Sequence, residues 1–477
     1  MDQCILTSDE AHDRLRNFSG DERSTGAAWM GASVTAAWIT PLILCVWMLM
    51  YSTISAPEDY KASQYGTKSI LPPAVLLLVK LATRVGPIGL LTFAVFSLWR
   101  HPKRDPVLKR LSLLIVFGFY GFASVMWSAD RGISLKQIIS FGILIALAYG
   151  VAILWRSDAD SRRLLTHLSI CLWVMAVMLL IVHFAIPGVG ALTKKSSGIF
   201  HSTGASAASG LGILLITGLR LLWKSEYSRW WPVIIAIHVG VLLVAGNRLS
   251  VAITGLVLVG LVACYCHRGW LAACVFSISL LGTTYLLVDT RMEGVHFAAD
   301  SLGMFAKQGQ SKKELSSLSG REEMWTKMWD SYLDSPIIGH GYFVTSKNGR
   351  IYIWYEWGNW TAHNFWLQAL TTTGAVGLSL LMSGLFWIAI GMARGRKRIA
   401  ESGRSVVMIF ALTAWYFGWG FLNSSFIGPL SPESVVFAII LGIATAIAAG
   451  ERFSVPASKQ QSSASESTEN QTWRLTP

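Results

Sequence analysis

Apolar blocks of about twenty residues recur along this chain, the length a helix needs to cross the hydrocarbon core of a bilayer. Residues 134–155 carry a single charge, Lys136, and residues 432–450 carry only Glu433. The composition follows from the blocks. Of the 477 residues 53% are hydrophobic and 14% are charged, where a soluble chain carries about 25% charged residues. The fold class this predicts is an all-α polytopic membrane protein.

The hydropathy pattern predicts twelve transmembrane helices, at about 29–51, 72–98, 111–127, 134–155, 164–186, 202–223, 230–245, 249–266, 270–288, 363–391, 405–426 and 432–450. The second is broken by Pro72, Pro73 and Pro87 and holds Lys80 and Arg84. Residues 1–28 form a polar leading tail with no short apolar core of the signal-peptide kind, so the first span is expected to act as its own targeting signal. Residues 29–288 hold the first nine spans, 289–362 a large polar loop and 363–450 the last three. Residues 451–477 are rich in Ser, Gln and Glu and cannot bury a core.

Orientation follows from Lys and Arg, which accumulate in cytoplasmic loops. With the leading tail inside, the inner segments hold Arg14, Arg16, Arg23, Arg100, Lys103, Arg104, Lys109, Arg110, Arg156, Arg162, Arg163, Lys224, Arg229 and Arg268. They continue with Arg394, Arg396, Lys397, Arg398 and Arg404. The short outer loops hold Lys61, Lys68, Arg131, Lys194, Lys195 and Arg248. Both termini are therefore expected in the cytoplasm, and the 289–362 loop on the far side. The net charge of +13 belongs to this asymmetry and not to nucleic-acid binding, since no basic, aromatic-interleaved soluble domain exists. None of the six cysteines falls in the large loop, so no disulfide framework holds it.

The loop has local structure of its own. Ser319-Gly320-Arg321-Glu322 fits a capping box. Met324, Trp325, Met328, Trp329, Tyr332 and Leu333 follow at helical spacing, a stripe that should pack on the membrane domain or the lipid interface. Asp334-Ser335-Pro336 ends the helix. Tyr352, Trp354, Tyr355, Trp357 and Trp360 form an aromatic cluster at headgroup level before the next span.

Three residues stand out chemically. His363 and Asn364 open a long apolar helix, and Gly374 and Gly377 return to nearly the same face. That face is expected to be bare enough for a helix or a lipid headgroup to come close. A helix N-terminus disfavours the imidazolium, so a neutral His363 could accept a proton from a hydroxyl; it could equally be an interfacial aromatic. Arg248 lies in a tight turn, Gly246-Asn247-Arg248, and either binds an anion or snorkels to water. Arg321 sits in the first turn of the loop helix, where a cation opposes the dipole. It either takes a phosphate in its planar fork or stays solvated beside Glu322 and Glu323. Lys194, Lys195, His201, His340 and Asn364 are further candidates for substrate binding, His340 being equally readable as a turn residue. Asp158-Ala159-Asp160 has the look of a metal–nucleotide pair, but its setting among Arg156, Arg162 and Arg163 reads as a solvated linker.

Together these motifs resemble the bacterial O-antigen ligase and polymerase family. His363-Asn364, nine residues, then Gly374-x-x-Gly377 is similar to the ligase motif. Gly320-Arg321 with Trp325, then Ser335-Pro336-Ile337-Ile338-Gly339-x-Gly341, resembles the family's outer-loop signature. Gly246-Asn247-Arg248 resembles its small-residue–Arg turn, and Gly198-Ile199-Phe200-His201 its Gly-x-Phe-x-His stretch, though Ser202-Thr203 departs from the usual continuation. The resemblance runs from about residue 195 to 445.

It implies a GT-C-like multi-helix glycosyltransferase acting on the periplasmic side of the bacterial inner membrane. The implied donor is a glycan on undecaprenyl diphosphate. The acceptor is lipid A–core in a ligase, a second lipid-linked glycan in an O-antigen or exopolysaccharide polymerase, and a protein hydroxyl in some relatives. By the same resemblance Arg248 and Arg321 bind the diphosphate and His363 is catalytic. A diphosphate leaves readily, so neither a metal nor another cofactor is implied, and displacement is expected to invert the anomeric centre. A transporter or flippase for a lipid-linked glycan is the other function class, and it would need charges along its crossing path.

Overall fold

The computed structural model describes residues 104–185, 202–225, 229–245, 247–265, 321–344, 364–395, 403–421 and 432–450, with Leu78 alone before them. Ten α-helices are found there: α1 Arg104–Ala123, α2 Arg131–Leu154, α3 Asp158–Ala185, α4 Ser202–Trp223, α5 Trp231–Ala245, α6 Arg248–Tyr265, α7 Arg321–Asp334, α8 Phe365–Gly395, α9 Gly403–Gly420 and α10 Pro432–Ala449. A 3₁₀ turn, Ser124–Met126, prolongs α1. No strand occurs among the described residues.

Five helices are long and apolar enough to cross a membrane: Arg104–Met126, Arg131–Leu154, Asp158–Ala185, Thr203–Trp223 and Phe365–Gly395. Trp231–Ala245, Leu249–Ala263 and Glu433–Ala449 are shorter and apolar. Nine of the twelve expected spans thus coincide with helices, with boundaries shifted by a few residues. The spans at 29–51 and 270–288 lie outside the described residues, as do both terminal tails and all of 72–98 except Leu78.

Two helices carry the core. Buried positions make up 83% of the α4 span, against 33–44% for the other four. Its opening, Ser-Thr-Gly-Ala-Ser-Ala-Ala-Ser-Gly, is built of small residues that let backbones approach, the main means of helix association where lipid removes the hydrophobic drive. Gly210 lies against Thr254 and Trp415, and Gly218 against Met408 and Leu261. The Trp415 Nε1 donates to Thr254 Oγ1 at 2.9 Å, joining α9 to α6. The second core helix, α10, is buried from Val436 to Ala448 and packs against α1, α2, α8 and α9. A helix apolar on every side is one enclosed by others.

These contacts fix direction. Because Gly210 meets Thr254 and Gly218 meets Leu261, α4 and α6 run parallel. Ile253 approaches Gly418, so the start of α6 lies level with the end of α9. Trp366, near the start of α8, packs on Phe417 and Phe421 with ring centroids 5.1 and 6.0 Å apart. α4, α6 and α8 therefore all begin at one end of the bundle.

The opposite end is clamped by Asp158. Its Oδ2 accepts Trp223 Nε1 at 2.5 Å, and its Oδ1 accepts the Ser405 amide at 3.1 Å and the Ser405 hydroxyl. One carboxylate thus ties the start of α3 to the end of α4 and the start of α9. Asp160 accepts the Arg156 amide at 3.0 Å. This corrects the reading of 158–160 as a solvated linker: the aspartates hold helix ends together.

Candidate functional site

α8 is not one helix. Gly374 has φ 67° and ψ −176°, far from helical values, and only glycine adopts that conformation without strain. The break divides α8 into a half-helix, 365–373, and a longer rod from 375 to 395. It also frees backbone groups that a membrane cannot hydrate.

The segment after α7 satisfies them. The Ala375 amide donates to the Pro336 carbonyl at 2.8 Å and the Val376 amide to the Ile337 carbonyl at 3.2 Å. The carbonyls of Thr371 and Thr372 would serve those two amides in an unbroken helix. They accept the amides of His340 and Gly341 instead, at 3.3 and 2.9 Å. The Tyr120 hydroxyl, from α1, lies 2.9 Å from the Thr373 carbonyl and 2.9 Å from the Ile338 carbonyl. The Ser335–Gly341 signature and the Gly374-x-x-Gly377 motif are two halves of one joint. This corrects the expectation of a bare glycine face. Gly374 meets the Ile337 carbonyl and the Gly339 amide, while Gly377 leaves room for the Thr373 side chain and the Tyr120 ring.

Beyond the joint the chain plunges inward. Tyr342, Phe343 and Val344 are buried. The Tyr342 ring stands 5.8 Å from Phe117 and 6.1 Å from Phe141, contacts of about 0.5–1.5 kcal/mol each beyond their area. Its amide donates to Ser124 Oγ at 2.9 Å. Burial pushes its phenol well above the ordinary tyrosine range, so it stays neutral.

α7 lies along the half-helix. Thr371 Oγ1 donates to the Met328 carbonyl at 3.3 Å. Further along both chains Pro336 meets Ala375, so α7 and α8 run in the same direction. Arg321 and Asn364 each precede the Met328–Thr371 contact by seven residues, about 10 Å of helix. The head of α7 therefore lies toward the head of α8. Of the expected α7 stripe, Met324 and Met328 are buried against the half-helix, while Trp329 and Leu333 are 48% and 58% exposed. The capping residue expected for α7, Ser319, and the aromatic cluster 352–360 lie outside the described residues.

The candidate residues divide accordingly. Arg248 is the first residue of α6 and Arg321 the first of α7; only their backbone is described. Asn364 is the N-cap of α8: its Oδ1 accepts the Leu367 amide at 3.0 Å, which starts the helix at Phe365 and not at His363. His340 is a joining residue. Its Nε2 lies 2.5 Å from the Ser331 carbonyl, and its carbonyl accepts the Ala129 amide at 3.2 Å. His363, His201, Lys194 and Lys195 lie outside the described residues, His201 directly before α4 and His363 directly before Asn364. Tyr120 was not legible as a site residue, since an aromatic in an apolar span reads as lipid-facing.

What the geometry brings together is a set of helix heads. α4, α6 and α8 begin at one end of the bundle, and α7 begins toward the same end. Each head carries a partial positive charge, a natural receptor for an anion, and side chains cap two of them: Asn364 Oδ1 accepts the Leu367 amide at α8 and Asn247 Oδ1 the Ser250 amide at α6. Residues 199–382 match the O-antigen ligase family, a stretch that runs from just before α4 to beyond the break in α8. No curated protein matches the chain.

Proposed function

With residues 199–382 matching the O-antigen ligase family, we propose that the chain is a membrane glycosyltransferase of the ligase and polymerase type. It moves a glycan from undecaprenyl diphosphate to an acceptor hydroxyl on the periplasmic face. The observation that carries this reading is the common end at which α4, α6, α7 and α8 begin. The Lys/Arg asymmetry supports an outer location for that end, since the end of α4 and the start of α9, at the opposite end, are flanked by Lys224 and Arg404.

A diphosphate gathers charge on its leaving oxygen as the glycosidic bond breaks. Helix heads contribute about 0.3–1 kcal/mol each, and up to about 2 kcal/mol when partly buried. Arginine adds bidentate, charge-assisted hydrogen bonds, and a donor aimed at developing charge contributes about 3–4 kcal/mol. In this reading Arg248 and Arg321 hold the diphosphate, with Lys194 and Lys195 adding to the basic surface. His363 takes the acceptor's proton as its oxygen displaces the diphosphate from the anomeric carbon with inversion. The joint at Gly374 holds the half-helix 365–373, whose cap Asn364 directly follows His363 in the sequence.

The test is transfer by purified protein in nanodiscs, given an undecaprenyl-diphosphate oligosaccharide and either lipid A–core or a second lipid-linked glycan. His363→Ala, Arg248→Ala and Arg321→Ala should each lower turnover at least a hundredfold without loss of folded protein. Retained turnover removes that residue from the mechanism, and absence of transfer by the unaltered protein to either acceptor defeats the reading. Product length separates single transfer from polymerisation.

A further inference from the structure

We propose that Tyr120 is a positioning residue for the transfer reaction: its hydroxyl clasps the half-helix 365–373 to the Ser335–Gly341 segment and so sets where His363 stands. This rests on the reading of His363 given above.

The half-helix cannot orient itself. It has nine residues, below the roughly 12–15 at which an isolated helix holds together in water, and it joins the rest of α8 through a glycine at φ 67°. Its direction is therefore set by what touches it. Tyr120 is placed to do so at the critical point. Its hydroxyl is 2.9 Å from the carbonyl of Thr373, the last residue before the break, and 2.9 Å from the carbonyl of Ile338. One proton is shared between two acceptors on the two sides of the joint. The ring reaches that point because Gly377 has no side chain: a methyl there would stand 3.0 Å from the Tyr120 ring.

A small slip would be amplified. Asn364 is ten residues from Gly374, about 15 Å of helix, so a rotation of about 4° at the break moves the head by about 1 Å. A misplacement of that size can cost about a hundredfold in rate. The hydroxyl touches neither donor nor acceptor in this scheme, so its removal should act on turnover and not on binding.

The experiment uses Tyr120→Phe, which deletes the hydroxyl and keeps the ring. Nitroxide labels are placed at Leu370→Cys and Phe386→Cys, one on each side of the break, in full-length protein whose native cysteines are replaced by alanine, reconstituted in nanodiscs. Tyr120→Phe should broaden or shift the distance distribution between the labels. In the unlabelled protein it should lower kcat for the undecaprenyl-diphosphate oligosaccharide at least tenfold, with KM for that donor changed less than twofold. An unchanged distance distribution overturns the proposal, as does a changed distribution with unchanged kcat, or a loss that falls on KM. If the unaltered protein shows no transfer, the functional reading fails. The clasp is then decided by the distances alone: broadening sustains it and identity overturns it.

Discussion

The Pro336 carbonyl accepts the Ala375 amide at 2.8 Å, so a segment that follows one helix completes the hydrogen bonding of another. Gly339 and Gly374 make the approach feasible: a methyl on Gly339 would stand 2.5 Å from both the Gly374 nitrogen and the Thr372 carbonyl oxygen. Both glycines have positive φ, 68° and 67°. Gly374→Ala and Gly339→Ala should each destabilise by about 3 kcal/mol, from backbone strain plus a clash with main chain that cannot swing away. Because the two sites touch, the double variant should lose less than the sum. Unfolding in mild detergent measures all three.

Asn364 tests the difference between holding a helix and holding a substrate. Its side chain caps α8. Asn364→Ala should cost about 1 kcal/mol and fray the half-helix, whereas Asn364→Ser, also a good cap, should cost little. Transfer activity should follow the cap: kept in the serine variant, reduced in the alanine variant. Equal loss in both would mean that the amide touches substrate.

Asp158 gathers three donors from two other helices. Hydrogen bonds to a charged acceptor contribute about 1.5–3 kcal/mol. Asp158→Ala should therefore destabilise by at least about 2 kcal/mol. Asp160→Ala, which loses one bond to the Arg156 amide, should cost about 1 kcal/mol. Thermal unfolding of the two variants side by side checks the ranking.

His238 is buried in α5, and among the described residues neither ring nitrogen finds a partner. Its ring presses on Gly212 of α4. His238→Leu should be neutral or stabilising by about 1–2 kcal/mol, because an unpartnered buried polar group is removed. Gly212→Ala should be destabilising, since the added methyl meets the ring, and His238→Ala should rescue it. Unfolding midpoints for the two single variants and the pair read this out.

Much of the scaffold was legible because span length and capping are local signals. The end of α7 falls at Asp334, as Ser335-Pro336 announces. α8 starts two residues beyond the expected 363, because Asn364 caps the helix. What escaped was non-local. Periodicity assumes a continuous helix, so it put Gly374 and Gly377 on an open face; a glycine's sign of φ leaves no trace in hydropathy. Asp158 looked solvated beside its arginines, since Trp223 and Ser405 are 65 and 247 positions away. Arg321 was legible in the first turn of its helix, whereas Arg248 read as a turn residue and is the first residue of α6; the common end at which their helices begin emerges only from helix directions.

The joint also orders the making of the protein. Tyr120 waits for a carbonyl synthesised 253 residues later. At roughly 5–20 residues per second, α1 stands in the bilayer for about 13–50 s before its hydroxyl meets Thr373. During that interval the segment 335–344 must be made and then fitted between α1 and the newborn α8. A ribosome stalled short of residue 376 leaves the Pro336 and Ile337 carbonyls without their amides. Such nascent chains carry an unfinished seam beside α1, with its backbone acceptors still unmet.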